Sequence, residues 1–206
     1  MKKQSYYIIN GITLYRVIAA PFLLYLVITR QEDIFKWLLA FSFFTDAIDG
    51  FLARKYKVVS VAGAKLDSWG DDLTVMVGVI GLFVLRPEFI RREYIWLIVM
   101  LILFLVQVTA ALIRYRSTTS FHTYLAKLAA ILQGSFLILA FFMPEPSRLL
   151  FYLASVVTAL DLIEEIILTF LLPKPRSDVK GIYWVLKQKR RSLLLILSAW
   201  ALGIVM

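Results

Sequence analysis

Apolar residues in this chain form six long segments that are separated by short polar breaks. Each segment approaches the roughly 20 apolar residues that a membrane-spanning helix needs. The pattern therefore predicts an all-α polytopic membrane protein with six transmembrane helices. The predicted spans lie near residues 11–29, 34–53, 62–85, 94–113, 124–142 and 149–172.

The segments at the two ends of the chain differ from these spans. Residues 4–16 mix polar and apolar positions, which favours an N-terminal amphipathic helix at the membrane interface. Residues 173–206 are basic and close with a short apolar stretch, 193–206, which favours an interfacial or incomplete segment over a full span. We expect a single membrane-embedded domain over residues 1–206, because this length leaves no room for a second large soluble domain.

The composition agrees with the membrane class. The chain is 61% hydrophobic and 18% charged, whereas soluble domains average about 45–50% apolar and about 25% charged residues. It has no cysteine and one histidine, His122, which excludes disulfides, thiol nucleophiles and metal sites built on Cys or His. The net charge of +9 fits contact with anionic lipid and phosphorylated substrates. Nucleic-acid binding is not expected, because the basic residues lie in short loops.

Lys and Arg are concentrated on one side of the six-span arrangement. That side holds the amino terminus, the loop at 54–60, residues 114–116 and the basic residues after 173. Cytoplasmic loops carry the excess of Lys and Arg in membrane proteins. We therefore expect an integral protein of the cytoplasmic or inner membrane whose 54–60 loop faces the cytoplasm.

Two pairs of aspartates lie inside predicted spans, one pair on each side of the 54–60 loop. Asp46 and Asp49 are three residues apart, and Asp67 and Asp71 are four apart, so each pair shares one face of its helix. The two helices are consecutive and antiparallel. All four carboxylates can therefore meet at one depth, in the cytoplasmic part of the bundle.

Four carboxylates at contact distance repel one another, and a hard divalent cation such as Mg²⁺, Mn²⁺ or Ca²⁺ resolves the repulsion. Two ions about 3.5–4 Å apart would form a clamp for phosphoryl transfer. The small residues Gly50, Ala53 and Gly63 would let a backbone or a flat ligand come close. The structural alternative is that the acids merely pair with Arg54 and Lys65.

The residues of this region resemble a known signature. The string D-x-x-D-G-x-x-A-R-x8-G-x3-D-x3-D is similar to that of the CDP-alcohol phosphotransferases, also called CDP-alcohol phosphatidyltransferases, which are membrane enzymes of phospholipid synthesis. All eight fixed positions are occupied: Asp46, Asp49, Gly50, Ala53, Arg54, Gly63, Asp67 and Asp71. The six-span plan also resembles the family, and the resemblance implies a homodimer.

The resemblance implies a role for each acidic position. Asp46, Asp49 and Asp67 would hold two Mg²⁺ or Mn²⁺ ions that bind the pyrophosphate of a CDP-linked donor. Asp71 would ligate a metal and act as general base for the acceptor hydroxyl. The deprotonated hydroxyl would then attack the β-phosphoryl group and CMP would leave.

The other motif positions would bind the donor. By the same resemblance, Gly50 and Ala53 would leave room for the cytidine, and Arg54 would brace the site or contact phosphate. The resemblance also implies that Gly63 binds the donor.

The acceptor alcohol is less clearly indicated. The opening residues 10–16, with Pro21 following, are similar to the start of the phosphatidylglycerophosphate and cardiolipin synthases, which favours transfer from CDP-diacylglycerol to glycerol 3-phosphate. Ser68 and Asp72 depart from those enzymes, and the Asp-Ser pair resembles the inositol-phosphate and serine branches. Transfer from CDP-choline or CDP-ethanolamine to a lipid hydroxyl is a further alternative.

Basic residues near the cytoplasmic face are candidates for binding the phosphate of the acceptor. Arg114 and Arg116 could instead be positive-inside anchors, and Lys127 could snorkel towards the interface. The candidate set is Lys65, Arg114, Arg116 and Lys127.

The sixth predicted span carries three further acids, and a different class of protein uses such residues. We expect Asp161, Glu164 and Glu165 to pair with Arg16 or Lys127 and hold the bundle together. Acids inside a membrane also line the pathways of cation or proton-coupled transporters. The acids of the aspartate motif cluster towards one side, which favours the enzyme over a transporter.

Overall fold

The structure of the protein is a computed structural model that describes the backbone of residues 2–56, 61–117, 121–174 and 179–201. Side chains are described for residues 11, 14–46, 48, 70–117, 121–174 and 179–191. Every regular element in the described ranges is an α-helix, which confirms the all-α prediction. The helices are α1 (Lys2–Ile28), α2 (Glu32–Tyr56), α3 (Val61–Leu85), α4 (Pro87–Tyr115), α5 (Tyr124–Phe142), α6 (Arg148–Leu171) and α7 (Ile182–Ala201).

Capping residues explain where three of these helices begin. Pro87 is the first residue of α4, a position where its missing N–H costs no helical hydrogen bond. The Thr123 hydroxyl accepts a hydrogen bond from the Ala126 N–H at 3.0 Å and caps α5. Ser147 caps α6 in the same way, through the Leu150 N–H at 3.4 Å.

The predicted interfacial lead-in and the first predicted span form one continuous helix, α1. The polar residues of the lead-in lower its hydrophobicity, but most of them are tolerated inside a helix. The helix ends at Ile28, and Arg30, two residues later, has a positive φ of 55°. The Gln31 N–H then bonds the Leu26 carbonyl at 2.9 Å, as in the turn that commonly closes α-helices.

Two of the predicted spans meet the length and apolarity of a transmembrane helix within the described residues. They are α4 and α5, and a shorter apolar stretch, Leu14–Ile28, lies in α1. Helix α2 carries charged residues at both ends and in its middle, and α6 carries three acids within its apolar stretch, whereas the charged residues of α4 lie near its ends. The remaining four spans therefore stay predictions, while α4 and α5 are long and apolar enough to cross a membrane.

The basic region near the end of the chain contains α7, which begins before the apolar stretch 193–206. Its first ten residues include exposed Tyr183 and Trp184 beside four basic residues. Aromatic and basic residues together are typical of helices at a membrane interface. An interfacial position for this segment stays a prediction.

The chain divides into two compact units, each described here by itself. Unit 1 comprises Met1–Tyr94 and Gly134–Phe151, and unit 2 comprises Ile95–Gln133 and Tyr152–Met206. In unit 1, α1 packs against α2 and α3, and α2 packs against α3. The fully buried apolar side chains of these helices include Leu23, Val27, Phe35 and Leu39.

Small residues on α3 let large apolar side chains approach its backbone in unit 1. A Cβ at Gly81 would lie only 2.7 Å from the ring tip of Phe35, and a Cβ at Gly78 would lie 3.3 Å from Leu137. The Phe35 ring also packs edge-on against Phe141, with ring centroids 4.9 Å apart. Close packing of this kind stabilises helix pairs that cannot rely on water exclusion in lipid.

Unit 2 is organised around a second apolar cluster and a short backbone pairing. Phe121, Leu168, Leu172, Val179 and Val185 are buried together. The Val179 N–H donates to the Phe121 carbonyl at 3.1 Å, so the segment before α5 is tied to the segment before α7.

The three acids of α6 anchor these two segments. The Glu165 carboxylate accepts hydrogen bonds from the Gln107 amide at 2.7 Å and from the Phe121 N–H at 3.4 Å. Glu164 accepts from the Ile182 N–H at 3.0 Å, and Asp161 lies 3.5 Å from the Thr123 hydroxyl. Neutral donors therefore contact these acids, where the sequence had suggested pairing with Arg16 or Lys127.

We predict that Glu165→Ala destabilises the protein by about 1–3 kcal/mol, because a buried donor that loses its acceptor keeps its desolvation penalty. Glu165 is 9% exposed, and the Ala variant removes the acceptor of both the Gln107 amide and the Phe121 N–H. Glu165→Gln keeps one acceptor oxygen and should lose less. Thermal unfolding of the purified protein in detergent measures both.

The matched control is Glu145→Ala, since Glu145 is exposed and lies 3.7 Å from Arg92. An exposed pair of this kind contributes only about 0–1 kcal/mol. Equal losses in the Glu145 and Glu165 variants would show that the buried hydrogen bonds of Glu165 do not matter for stability.

Candidate active site

The four aspartates of the motif lie on two helices of unit 1. Asp46 and Asp49 belong to α2, and Asp67 and Asp71 belong to α3. Helix α1 packs against both. A residue of α1 can therefore contribute to the site, although the motif contains none.

The absence of a side chain at Gly70, which directly precedes Asp71, leaves room for Arg16 of α1. A Cβ at Gly70 would lie 3.4 Å from the Cβ of Arg16 and 3.5 Å from its Cζ. The Arg16 side chain thus runs along α3 at van der Waals distance. A large side chain at position 70 would have to displace it.

The Arg16 guanidinium contacts one aspartate from each of the two neighbouring helices. Its Nη1 donates to Asp46 Oδ1 at 2.6 Å and also to Asp71 Oδ1. The Arg16 side chain is 1% exposed, whereas those of Asp46 and Asp71 are 40% and 43% exposed. The guanidinium therefore lies on the buried side of two carboxylates that keep accessible surface.

The donor chemistry of this pair fits a hard divalent cation. Both side chains offer only oxygen, which Mg²⁺ and Mn²⁺ prefer, and a cationic group already lies between them. The described side chains contain no metal-binding group of three or more Asp, Glu, His or Cys, and those of Asp49 and Asp67 lie outside the described set. Asp46 and Asp71 stay predicted ligands.

Seven predicted site positions, which comprise metal-binding and donor-binding positions and the acceptor candidate Lys65, are described by their backbone alone. Their backbone belongs to α2 or α3, but their side chains lie outside the described residues. These positions are Asp49, Gly50, Ala53, Arg54, Gly63, Lys65 and Asp67.

The three described candidates for acceptor binding are all exposed and belong to unit 2. Arg114 lies in the last turn of α4, where a cation interacts favourably with the helix dipole. Arg116 follows that helix with a positive φ of 56°. The Lys127 ammonium lies 5.7 Å from the ring centroid of Tyr124. Their role in binding an acceptor stays a prediction.

The contact of Arg16 with the motif was missed by the sequence reasoning, which considered Arg16 as a partner for the acids of α6. A sequence signal existed, because an arginine inside an apolar segment requires an acidic partner or water. The sequence could not show which acids Arg16 meets, since that depends on how α1 packs against α3.

Comparisons with known proteins extend over most of the chain. A family model described as CDP-alcohol phosphatidyltransferase matches residues 6–168. A similar curated protein is the CDP-diacylglycerol–inositol 3-phosphatidyltransferase of Saccharomyces cerevisiae, 45% identical over 66 residues. Another is a cardiolipin synthase (CMP-forming) / mitochondrial hydrolase fusion protein of Schizosaccharomyces pombe, 31% identical over 71 residues.

These alignments cover only part of each protein. The yeast inositol enzyme is matched over 32% of this chain and 30% of its own length, and the fusion protein over 34% and 12%. The chain thus spans less than a third of the length of these relatives. No solved structure matches the chain.

Proposed function

We propose that this chain transfers a phosphatidyl group from CDP-diacylglycerol to a small polar alcohol and releases CMP, because it belongs to the CDP-alcohol phosphatidyltransferase family. The family model covers the whole aspartate motif, from Asp46 to Asp71. Both relatives named above carry a CDP-diacylglycerol substrate or a CMP product in their names. The family therefore supports the donor and the leaving group, and the acceptor is proposed separately.

One structural observation carries the proposal. Asp46 and Asp71 come from different helices, contact the same cationic group and keep accessible surface. Glu165, by contrast, is buried, and its described contacts are with neutral donors. Partly open carboxylates held together by a cation are suited to bind a metal and a phosphorylated ligand.

The residues of the motif would act as follows. Asp46, Asp49, Asp67 and Asp71 would hold Mg²⁺ or Mn²⁺, and the bound ions would neutralise the charge of the donor pyrophosphate. Asp71 would accept the proton of the acceptor hydroxyl. The hydroxyl oxygen would then bond to the β-phosphorus while the bond between that phosphorus and the oxygen of CMP breaks, so that CMP leaves.

The donor pocket is proposed from the remaining motif positions. Gly50, Ala53 and Gly63 would let the cytidine come close to the helix backbone. Arg54 would contact a phosphate of the donor.

Glycerol 3-phosphate is the proposed first acceptor. The residues at 10–16 support it, because they resemble the start of the phosphatidylglycerophosphate and cardiolipin synthases, and one relative is named a cardiolipin synthase. The inositol enzyme relative and the Asp67-Ser68 pair support inositol phosphate or serine as the second choice.

The membrane arrangement is proposed on the same basis. Six transmembrane helices would place the active site near the cytoplasmic surface, where water-soluble alcohols arrive, and the protein would form a homodimer. The concentration of Lys and Arg on one side supports this orientation.

A panel of acceptors tests the proposed function. Purified protein is supplied with CDP-diacylglycerol, Mg²⁺ or Mn²⁺, and one of glycerol 3-phosphate, inositol phosphate, inositol or serine, and CMP is measured. We expect metal-dependent release of CMP with one acceptor, glycerol 3-phosphate first. No release with any of them would refute the enzyme, and ion flux in liposomes without CDP substrates would favour a transporter.

We predict that Asp71→Asn lowers turnover by about a hundredfold or more, because a general base typically contributes 10²–10⁴-fold. Binding of CDP-diacylglycerol should be largely retained. The matched control is Asp72→Asn, which changes the adjacent, exposed aspartate. Turnover near wild type in the Asp71 variant would remove this residue as the base.

We predict that Lys127→Gln raises KM for a phosphorylated acceptor at least about tenfold, because a hydrogen bond to a charged group contributes about 1.5–3 kcal/mol. KM for CDP-diacylglycerol should not change. Lys187→Gln is the matched control, since Lys187 is also an exposed lysine whose ammonium lies 5.8 Å from a tyrosine ring, that of Tyr183. Equal KM values for the acceptor in all three proteins would exclude Lys127 from acceptor binding.

A further inference from the structure

Arg16 lies outside the signature of the family resemblance, yet it is the residue that joins two of its aspartates. A single guanidinium nitrogen, Nη1, donates to Oδ1 of both Asp46 and Asp71. Since α1, α2 and α3 each contribute one of the three side chains, this contact ties three helices together.

The side chains of Arg16, Asp46 and Asp71 differ in their exposure to solvent. Arg16 is buried, whereas about two fifths of each aspartate side chain is accessible. The accessible part of each aspartate side chain is therefore a part that Arg16 does not cover. A ligand that approaches from the accessible side does not have to displace Arg16.

The negative charges of Asp46 and Asp71 require a nearby cation. Two carboxylates close enough to share one nitrogen repel each other, and the repulsion is strong where water is scarce. A buried arginine that contacts both offsets the repulsion, whereas a buried charge without a partner would be costly. Arg16 can therefore keep the two carboxylates together before any metal binds.

We propose that Arg16 is a positioning residue of the metal site, which holds Asp46 and Asp71 from their buried side so that their accessible oxygens are directed to one place. The inference rests on the proposed function, since it assumes that these aspartates bind a divalent metal. Arg16 itself does not contact the substrate. Its effect is to preorganise ligands that come from two different helices.

Gly70, on α3, lies beside the Arg16 side chain. A Cβ at Gly70 would lie 3.4 Å from the Cβ and 3.5 Å from the Cζ of Arg16. The glycine beside Asp71 therefore leaves the arginine unobstructed along α3. A lysine at position 16 could contact the same oxygens with its one ammonium, but it lacks the planar group that fixes the orientation of the donors.

Binding of Mn²⁺ to the purified full-length protein, followed by electron paramagnetic resonance in the absence of substrate, tests the proposal. We expect Arg16→Met to weaken Mn²⁺ binding by about tenfold or more, because groups that orient metal ligands typically contribute 10–100-fold in affinity. Arg16→Lys should lose less. The Mg²⁺ concentration for half-maximal CMP release should rise in the same order.

Arg86→Met is the matched control. The Arg86 guanidinium is also largely buried in unit 1, and it contacts the Glu32 carboxylate and the Ala140 carbonyl. Glu32 precedes Asp46 by 14 residues on α2, or about 21 Å along the helix at about 1.5 Å per residue. The control should lose stability without losing affinity for Mn²⁺.

The Mn²⁺ affinities of the Arg16 and Arg86 variants decide whether the proposal holds. Folded Arg16 variants that bind Mn²⁺ as tightly as wild type, or more tightly because a competing cation has gone, would overturn the proposal. An equal loss of affinity in the Arg86 variant would also overturn it, since the effect would then be general destabilisation. If Arg16→Met does not fold, Arg16→Lys decides by the same criterion.

The proposed function can fail separately. Wild-type protein that binds Mn²⁺ but releases no CMP with any acceptor would refute the enzyme and leave the role of Arg16 intact. Wild-type protein that binds no Mn²⁺ would overturn both.

Discussion

An ionised side chain inside an apolar helical protein needs a partner or water, and Arg16 meets this requirement by contacting Asp46 and Asp71. The same contact joins α1 to the two helices that carry the aspartate motif. The arginine lies along α3 beside Gly70, where a Cβ would already be at van der Waals distance from it. The packing of α1 against α2 and α3 therefore places a cation beside two acids of the motif.

The two units satisfy their acids in different ways, and the difference separates a candidate site from a structural contact. In unit 1, a buried cation holds aspartates that stay partly accessible. In unit 2, Glu165 is covered and accepts hydrogen bonds from the Gln107 amide and a backbone N–H. Acids surrounded by neutral donors stabilise the ends of helices, whereas accessible acids beside a cation can exchange ligands. Asp46 and Asp71 also share one cation, whereas the described contacts of the α6 acids are with neutral donors.

Much of this could be predicted from the sequence, for physical reasons that also set its limits. Apolar periodicity predicted the helical class, and the spacing of Asp46 to Asp71 identified the family, because both are local patterns. The boundary between residues 4–16 and the first span could not be predicted, since α1 continues through polar residues that do not break a helix. The partners of Arg16 could not be predicted either, because they depend on how α1 packs against helices whose aspartates lie 30 and 55 residues further along the chain.

We propose that the aspartates of the motif form a divalent-metal site between α2 and α3. Anomalous diffraction from crystals of the protein soaked in Mn²⁺ locates the ions directly. We expect two peaks about 3.5–4 Å apart, bounded by Asp46, Asp49, Asp67 and Asp71. Mn²⁺ peaks found only elsewhere, for example at the acids of α6, would contradict it.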